Sequence, residues 1–398
     1  MSEGDFFMIE YGTFKHKLLS TMVIAGEYPY KSLDLMMESP IRKREVINQL
    51  KDKGYIDIKT VSGIKRIRFK MFDKKKNEYC QDLFKGAELY KPNEKVRVSA
   101  RKLERIDRIA EVLIMMMEAG INVTDEEKPE ISNMEVIEET DERIPYFITS
   151  LEARAAIEIK EDKGKGSRFH GTMVSSGGLY NIYNMGDSMM EWVRPSEYTA
   201  VDFNLQYQMH VLPWGKLYKE WYGKSAIIFS RSMEYVVDFV KGNFTPRHGH
   251  GTSKNLVNIN NYYDHTFYLP LSYQGQVMLN MMALKNWHYY LVGLFYKKED
   301  LASKEVKMSI ACDATQDGCY SLVFMDGDIG RLKKFVNQDI MPENYGQYKI
   351  LCYDFQEEVV KKLAPKGMDV IAFDFEKITN GFYDVYEQFN AETEDSQK

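Results

Sequence analysis

The apolar residues of this chain change from helical to alternating spacing at Gly54, and this change constrains the fold of the N-terminal part more than any other feature. Before Gly54, apolar residues recur every three or four positions in three short segments, which predicts three helices. The third segment opens with Ser39 and Pro40, a strong helix start, because serine accepts hydrogen bonds from free backbone N–H groups and proline needs none there. After Gly54, the stretches YIDIK and IKRIRFK alternate in polarity and predict a two-stranded hairpin.

Three helices followed by a basic hairpin is the element order of a winged helix-turn-helix. In that fold the start of the third helix lies in the major groove of DNA, and the hairpin lies along the DNA backbone or in the minor groove. The predicted DNA-contacting residues are Arg42, Lys43, Arg44, Asn48 and Gln49 on the helix, and Arg66, Arg68 and Lys70 on the second strand. The alternative is a purely structural module, because charged helix residues often face only solvent and winged helices also bind proteins.

Charge is distributed unevenly along the chain. The whole protein has a net charge of -6, with 53 Lys and Arg residues against 59 Asp and Glu residues. Residues 12–76 contain 16 Lys and Arg against seven Asp and Glu, a net charge of +9, whereas the 322 residues after Lys76 sum to -12. A basic module on an acidic protein favours contact with a polyanion, because neutralising phosphates releases counterions.

A longer helix is predicted after Ser99, where apolar residues form a seam with steps of three and four positions. The seam consists of Leu103, Ile106, Ala110, Leu113 and Met117. It covers two heptads, fewer than most coiled coils use, so dimerisation through this helix stays open. The acidic stretch from Asn122 to Arg143 then lacks an apolar period and predicts a linker.

The second half of the chain alternates short apolar strands with helices. The stretches SAIIFS, TFYLPLS and YSLVFMD are each followed by a helical segment, which predicts a parallel or mixed sheet covered by helices. The predicted fold class is therefore mixed α and β (α+β or α/β), with an N-terminal winged helix-turn-helix and a larger mixed α/β domain. The predicted domains are residues 1–95 (winged helix-turn-helix), 96–145 (helix and acidic linker) and 146–398 (α/β domain with a mixed sheet).

The stretch LVFMDGDIGRL is the strongest candidate for a metal site. Asp326 and Asp328 leave the end of a predicted buried strand, where ligands collect in open α/β sheets, and carboxylates suit Mg²⁺. The stretch resembles the acidic strand end of the topoisomerase-primase domain, but the glutamate that this domain needs on an earlier strand is missing. A metal site would therefore recruit Asp354 or Asp374 from neighbouring strands. The alternative is a turn and a helix N-cap, where aspartate is favoured without a metal.

Several functional classes lack support in the sequence. It contains no GxxxxGK[ST] phosphate loop, no GxGxxG after a strand and no GxSxG nucleophile turn. No apolar run approaches the ~20 residues of a membrane-spanning helix. The first residues also lack the basic start and apolar core of a secretion signal. We therefore expect a cytoplasmic protein without membrane contact and without a cofactor. Mg²⁺ would be bound only if the metal-site hypothesis holds.

The chain resembles the replication-relaxation family, whose members are encoded on plasmids and integrative conjugative elements of Gram-positive bacteria. The resemblance is carried by the wing LKDKGYIDI with SGIKRIRF, the helix RIDRIAEVLIMMMEAGI, the hairpin SRFHG with YNIYNMGDSMMEW, and the tail SLVFMDGDIGRLKKF with YKILCYDFQEE. It implies DNA binding in the replication, relaxation or transfer of a plasmid or mobile element. Some relatives carry a nuclease-like C-terminal fold, but this chain lacks a PD...ExK set.

The leading hypothesis is a DNA-binding protein of a mobile genetic element, without enzymatic activity, that acts in replication, relaxation or conjugative transfer. Double-stranded DNA is the expected partner, while a homodimer and contacts with replication or relaxosome proteins stay open. The first alternative is a Mg²⁺-dependent DNA nicking or relaxing enzyme that uses Asp326 and Asp328. The second alternative is a winged-helix transcriptional regulator whose α/β half senses a ligand.

Overall fold

The structure is a computed structural model that describes residues 10–61, 63–70, 100–124, 128–131, 135–138, 140–156, 169–186, 200–201, 203–204, 206–207, 210–212, 224–242, 263–338 and 347–395. Over these residues the protein belongs to the mixed α and β class, as predicted, with helices packed around sheets of three, five and four strands. No helix in these ranges is long and apolar enough to cross a lipid bilayer.

The N-terminal unit, formed by the described part of residues 10–70, contains two α-helices, a 3₁₀-helix and the three-stranded sheet. Its elements are α1 (Phe14–Ala25), β1 (Glu27–Pro29), the 3₁₀-helix (Tyr30–Leu35), α2 (Pro40–Asp52), β2 (Ile56–Val61) and β3 (Ile64–Phe69). The side chain of Ser39 accepts a hydrogen bond from the backbone N–H of Arg42 and so begins α2. The sequence predictions for α1, α2 and the hairpin are confirmed. The predicted second helix is the 3₁₀-helix, and β1, which pairs with β3, was not predicted.

Apolar side chains cover one face of the three-stranded sheet. On this face Tyr28, Ile56 and Ile67 are fully buried and belong to one apolar cluster with the buried residues of α1 and α2. Because side chains alternate along a strand, Arg66 lies on the opposite face. The sheet therefore has an apolar face toward α1 and α2 and a charged face on its other side.

Helix α3 (Ala100–Glu118) lies between the N-terminal unit and the rest of the protein. It packs on the N-terminal unit through an ion pair between Asp107 and Arg66 and a hydrogen bond from Ser32 to Glu111. Glu111 also accepts a hydrogen bond from the side chain of Asn184 in the second half of the chain, at 3.1 Å. The predicted long helix is thus present, and it contacts the elements on both sides of it.

The five-stranded sheet combines antiparallel and parallel pairs. Its strands, in spatial order, are β4 (Tyr146–Thr149), β5 (Phe169–Ser175), β6 (Gly178–Gly186), β7 (Ser225–Ser230) and β8 (His265–Pro270). The pairs β4–β5 and β5–β6 are antiparallel, whereas β6–β7 and β7–β8 are parallel. Its accompanying helices are α4 (Ser150–Ala156), α5 (Glu234–Lys241), α6 (Tyr273–Ala283) and α7 (Trp287–Gly293).

The four-stranded sheet follows in the C-terminal part. Its strands are β9 (Ala314–Gln316), β10 (Cys319–Val323), β11 (Tyr348–Tyr353) and β12 (Asp369–Phe373), in the spatial order β12-β11-β10-β9. The three strands β10, β11 and β12 are parallel to one another. The helices are α8 (Lys304–Ile310), α9 (Ile329–Val336), α10 (Glu357–Leu363) and α11 (Phe375–Asp395). The predicted alternation of strands and helices is confirmed, but the pattern did not indicate that the strands divide between two sheets.

The turn that contains Gly327 joins the two larger sheets. The backbone N–H of Tyr268 in β8 donates to the carbonyl oxygen of Gly327 at 2.8 Å, and Phe267 forms an isolated bridge with Asp328. Gly327 has a φ of 75°, and a Cβ atom at this position would lie 2.5 Å from the Tyr268 carbonyl oxygen. Glycine is therefore required here, because the backbone is left-handed and approaches another strand closely.

Replacing Gly327 with alanine tests this junction. We expect Gly327→Ala to lower the free energy of unfolding by more than ~2 kcal/mol, because the clash with Tyr268 adds to the ~1–2 kcal/mol of a left-handed alanine. Gly318→Ala is the matched control, since Gly318 has a φ of 77° but no atom within 4 Å of its Cβ position. The control should lose only the ~1–2 kcal/mol that a left-handed alanine costs. Equal losses for both variants in urea denaturation would contradict the close approach at Gly327.

Candidate nucleic-acid interface

Helix α2 presents a polar face to solvent. Its buried residues Val46, Ile47 and Leu50 face the core, so the opposite side of the helix is exposed. Arg44 and Asn48 are both exposed and lie four positions apart on that side. Two of the five DNA-contacting residues that the sequence predicted on α2 therefore share one exposed side of the helix.

Two further exposed residues that carry no negative charge extend this side of α2. Lys51 follows Asn48 by three positions, and Ile41 precedes it by seven, so both fall on the same side of the helix. We call Ile41, Arg44, Asn48 and Lys51 the outward row. Helical phase could have selected Lys51 from the sequence, whereas an isoleucine in an apolar pattern gives no sign that it is exposed.

Arg42 and Gln49 occupy a different side of α2. They line a groove of about 370 Å³ between α2 and the start of α1, together with Phe14. The Nη1 atom of Arg42 also lies 3.6 Å from the carboxylate of Glu45. Because both partners of this pair are exposed, it is weak and leaves Arg42 accessible to other ligands.

Lys43 holds α2 against the 3₁₀-helix. Its Nζ atom donates a hydrogen bond to the carbonyl oxygen of Leu33 at 2.8 Å. Burial lowers the pKa of Lys43, although the nearby carboxylates of Asp34, Glu118 and Glu38 act in the opposite direction. This predicted DNA-contacting residue is thus used within the N-terminal unit.

Arg66 is buried and unavailable for DNA contact, contrary to the sequence prediction. Its side chain is 0% exposed, Nη2 donates to Oδ2 of Asp107 at 2.8 Å, and Nη1 lies 2.7 Å from Oδ1. The carboxylate of Glu27 lies 3.7 Å from Nη1. Strand alternation correctly puts Arg66 on the charged face of the sheet, but α3 covers that part of the face. The partner that neutralises Arg66 lies 41 residues further along the chain.

The Arg66–Asp107 contact predicts an asymmetric effect of mutation. Burial raises the pKa of Asp107 even though Arg66 lowers it, so desolvation offsets much of the attraction. We expect Arg66→Ala to lower the free energy of unfolding by ~3–5 kcal/mol, because it leaves a buried carboxylate without its partner. The double variant Arg66→Met/Asp107→Leu should recover most of this loss in chemical denaturation. Arg68→Ala is the control, and it should lower the free energy of unfolding only slightly. If Arg66→Ala lowered it no more than Arg68→Ala does, the burial of Arg66 would be contradicted.

The hairpin presents other cations to solvent. Lys70 is exposed, and Arg68 is 34% exposed with its Nη2 atom 4.0 Å from the carboxylate of Asp57. Lys59 and Lys65 are also exposed, although they are not among the predicted DNA-contacting residues. The accessible charge of the hairpin therefore comes from both of its strands.

The exposed charge of α2 and the hairpin is mainly positive. Between Pro40 and Lys70, seven Lys and Arg side chains are exposed, against two carboxylates. We call the seven cations the basic surface: Arg42, Arg44, Lys51, Lys53, Lys59, Lys65 and Lys70. The two exposed carboxylates are Glu45 and Asp52. A surface with this balance attracts polyanions.

Asp328, one of the two predicted metal ligands, is the N-cap of α9. Its Oδ1 atom accepts hydrogen bonds from the backbone N–H groups of Gly330 at 3.0 Å and Arg331 at 3.1 Å. Its Oδ2 atom lies 2.7 Å from Nδ1 of His265, and the residue is 0% exposed. Asp328 therefore has the role of the alternative considered for this stretch, a turn residue that caps the following helix.

Asp326 belongs to a second buried network, centred on Arg331. The Nη1 atom of Arg331 donates to Oδ2 of Asp326 at 2.7 Å, and Nη2 forms an ion pair with Asp313. Nε2 of His288 lies 3.3 Å from the Asp326 carboxylate, whose other oxygen accepts the backbone N–H of Asp328. Arg331 follows Asp326 by five residues, whereas His288 and Asp313 come from other elements that the local sequence pattern does not connect to it.

These contacts compete with a metal ion at Asp326 and Asp328. Their oxygen atoms accept N–H groups, and the Arg331 guanidinium beside Asp326 already supplies the positive charge that Mg²⁺ would bring. Asp354 and Asp374, the further carboxylates that such a site would recruit, each accept a backbone N–H group just after their strands. Within the described ranges, no three His, Cys, Asp or Glu side chains are grouped as metal ligands.

Asp328 makes stability depend on pH. Burial opposes ionisation of its carboxyl group, but the hydrogen bond and charge of His265, with Arg331, hold its pKa below the usual value. Such a group contributes stability above its unfolded pKa of ~3.9 and loses the contribution as the pH falls through the lower folded pKa. We expect the unmodified protein to have a larger free energy of unfolding than Asp328→Asn at neutral pH. This difference should shrink as the pH falls from ~3.9 through the lower pKa of Asp328 in the folded protein. A difference that stays constant in urea denaturation across this range would contradict the ionic role of Asp328.

Comparison with known proteins leaves the chain without an assigned family. No family model matches it, and neither curated proteins nor solved structures give a match. The assignment of a function therefore depends on the residues and their geometry.

Proposed function

We propose that this protein binds double-stranded DNA through the basic surface of α2 and the β2–β3 hairpin. The observation that carries the proposal is the excess of seven exposed cations over two exposed carboxylates between Pro40 and Lys70, in a chain of net charge -6. Cations at this density replace the counterions condensed on DNA, and the release of those counterions drives association.

The order of the elements supports a winged helix-turn-helix mode of binding. Two α-helices and a 3₁₀-helix precede the hairpin, and β1 adds a third strand to it. In this mode α2 enters the major groove and the hairpin is the wing along the DNA backbone. Arg44 and Asn48 then face base edges, whereas Lys59, Lys65 and Lys70 face phosphates.

The resemblance to the replication-relaxation family supplies a biological setting for the proposal. In that setting the DNA belongs to a plasmid or an integrative conjugative element, and the protein acts in the cytoplasm in replication, relaxation or transfer. The two larger sheets then serve assembly, as a homodimer or with replication or relaxosome proteins. A transcriptional role would use the same surface. A Mg²⁺-dependent nicking reaction is not part of the proposal, because Asp326 and Asp328 are engaged in helix capping and ion pairs.

Charge reversal within the outward row tests the proposal. The variant Arg44→Glu/Lys51→Glu should bind duplex DNA at least ~100-fold more weakly, because it removes a base contact of ~1–3 kcal/mol at Arg44 and a second cation at Lys51, and because both new carboxylates repel the phosphates. Fluorescence anisotropy with a labelled duplex at fixed salt measures the affinity. Both side chains are exposed, so the folded state should persist, as circular dichroism can verify.

The matched control carries the same change of charge away from the basic surface. Lys366→Glu/Lys377→Glu replaces two exposed lysines that flank β12. This variant should lose little affinity, because only the long-range field changes. Equal weakening by both double variants would mean that net charge alone controls binding, and unchanged affinity of the outward-row variant would rule out α2 as the contact.

A further inference from the structure

Ile41 is the most exposed large apolar side chain in the described ranges, with 63% of its surface accessible. It lies in the first turn of α2, in the outward row, and its sequence neighbour Arg42 and nearby Arg44 are exposed cations. Helix formation does not require an isoleucine there, since β-branched residues are weaker helix formers than alanine or glutamate. Single exposed apolar residues are common, but this one lies within a charged surface that is proposed to contact a ligand.

The outward row combines side chains that match different base edges in the major groove. Arginine pairs with the two acceptors of guanine, asparagine with the donor and acceptor of adenine, and an apolar side chain with the C5 methyl group of thymine. Arg44 and Asn48 provide the first two kinds of contact. Ile41 provides the third, for which no other exposed residue of the outward row is suited.

The spacing of the row fits a short stretch of DNA. Ile41 and Asn48 are seven residues apart, which corresponds to about 10 Å along the helix axis. This length equals about three base-pair steps of 3.4 Å. The first turns of a recognition helix also lie closest to the base edges, and Ile41 is the second residue of α2.

We infer that α2 reads a stretch of about three to four base pairs in which Ile41 packs against the C5 methyl group of a thymine. Within the same stretch Arg44 contacts a guanine and Asn48 an adenine. This inference rests on the proposed function and adds to it the base composition of the site. It assigns to Ile41 a role in specificity, beyond the general attraction between cations and phosphates.

Replacement of thymine by deoxyuridine tests the inference, because deoxyuridine lacks only the C5 methyl group. A preferred duplex is first selected by the full-length protein from a pool of randomised DNA. Each thymine is then replaced in turn, and binding is measured by fluorescence anisotropy. One replacement should weaken binding about fourfold, the factor expected for one buried methyl group. Ile41→Ala should bind the unmodified duplex more weakly and be insensitive to the same replacement.

The control variant is Ile371→Ala, which removes an exposed isoleucine, 41% accessible, from β12. It should keep the response to deoxyuridine. The inference is overturned if no thymine replacement weakens binding, or if Ile41→Ala keeps the full response to deoxyuridine. In either case the proposed function stands as long as the protein binds duplex DNA in a salt-dependent manner. It is also overturned if Ile41→Ala changes the sedimentation coefficient of the free protein, since Ile41 is then a protein contact. Absence of binding to any duplex removes the proposed function together with the inference.

Discussion

The buried ion pair between Arg66 and Asp107 is the interaction on which the arrangement of the N-terminal half depends. A guanidinium with no exposed surface needs a charged partner within reach, so α3 has to lie across the charged face of the three-stranded sheet. The same helix carries Glu111, which accepts a hydrogen bond from Ser32 at 2.8 Å and forms an ion pair with Arg231 at 2.9 Å. The N-terminal unit is therefore joined to the five-stranded sheet by buried polar contacts.

This arrangement decides which cations remain for a ligand. Arg66 is neutralised inside the protein, and Lys43 donates to a backbone carbonyl of its own unit. The charged face of the sheet is partly covered by α3, so accessible charge is left on the outward row and on the hairpin. The basic surface thus consists of the cations that remain exposed. The number of Lys and Arg residues in the sequence is therefore larger than the number of cations available to a ligand.

The local elements of the N-terminal unit could be predicted because their signals are local. Ser39 and Pro40 determine the start of α2, and the change of spacing at Gly54 determines the start of the hairpin. The same holds for the alternation of strands and helices in the second half, since each strand and helix has its own apolar pattern. The mixed α and β class follows from these signals alone.

The sequence predictions that failed concern charged residues whose partners are distant in the sequence. The partner of Arg66 is 41 residues away, and the His265 side chain that contacts Asp328 is 63 residues away. Apolar periodicity carries no information on such pairs, so exposed and buried charges look alike in the sequence. The division of the strands between two sheets was missed for the same reason, because it depends on long-range pairing.

A salt titration of duplex DNA binding by the full-length protein, with nonspecific competitor present, tests directly whether the basic surface contacts DNA. If the basic surface meets phosphates, the logarithm of the binding constant should fall linearly with the logarithm of the salt concentration. Each neutralised phosphate contributes a slope of about -0.9, so up to seven contacts correspond to a slope of up to about -6. No binding at low salt would contradict the account and would leave these side chains as a solvated face.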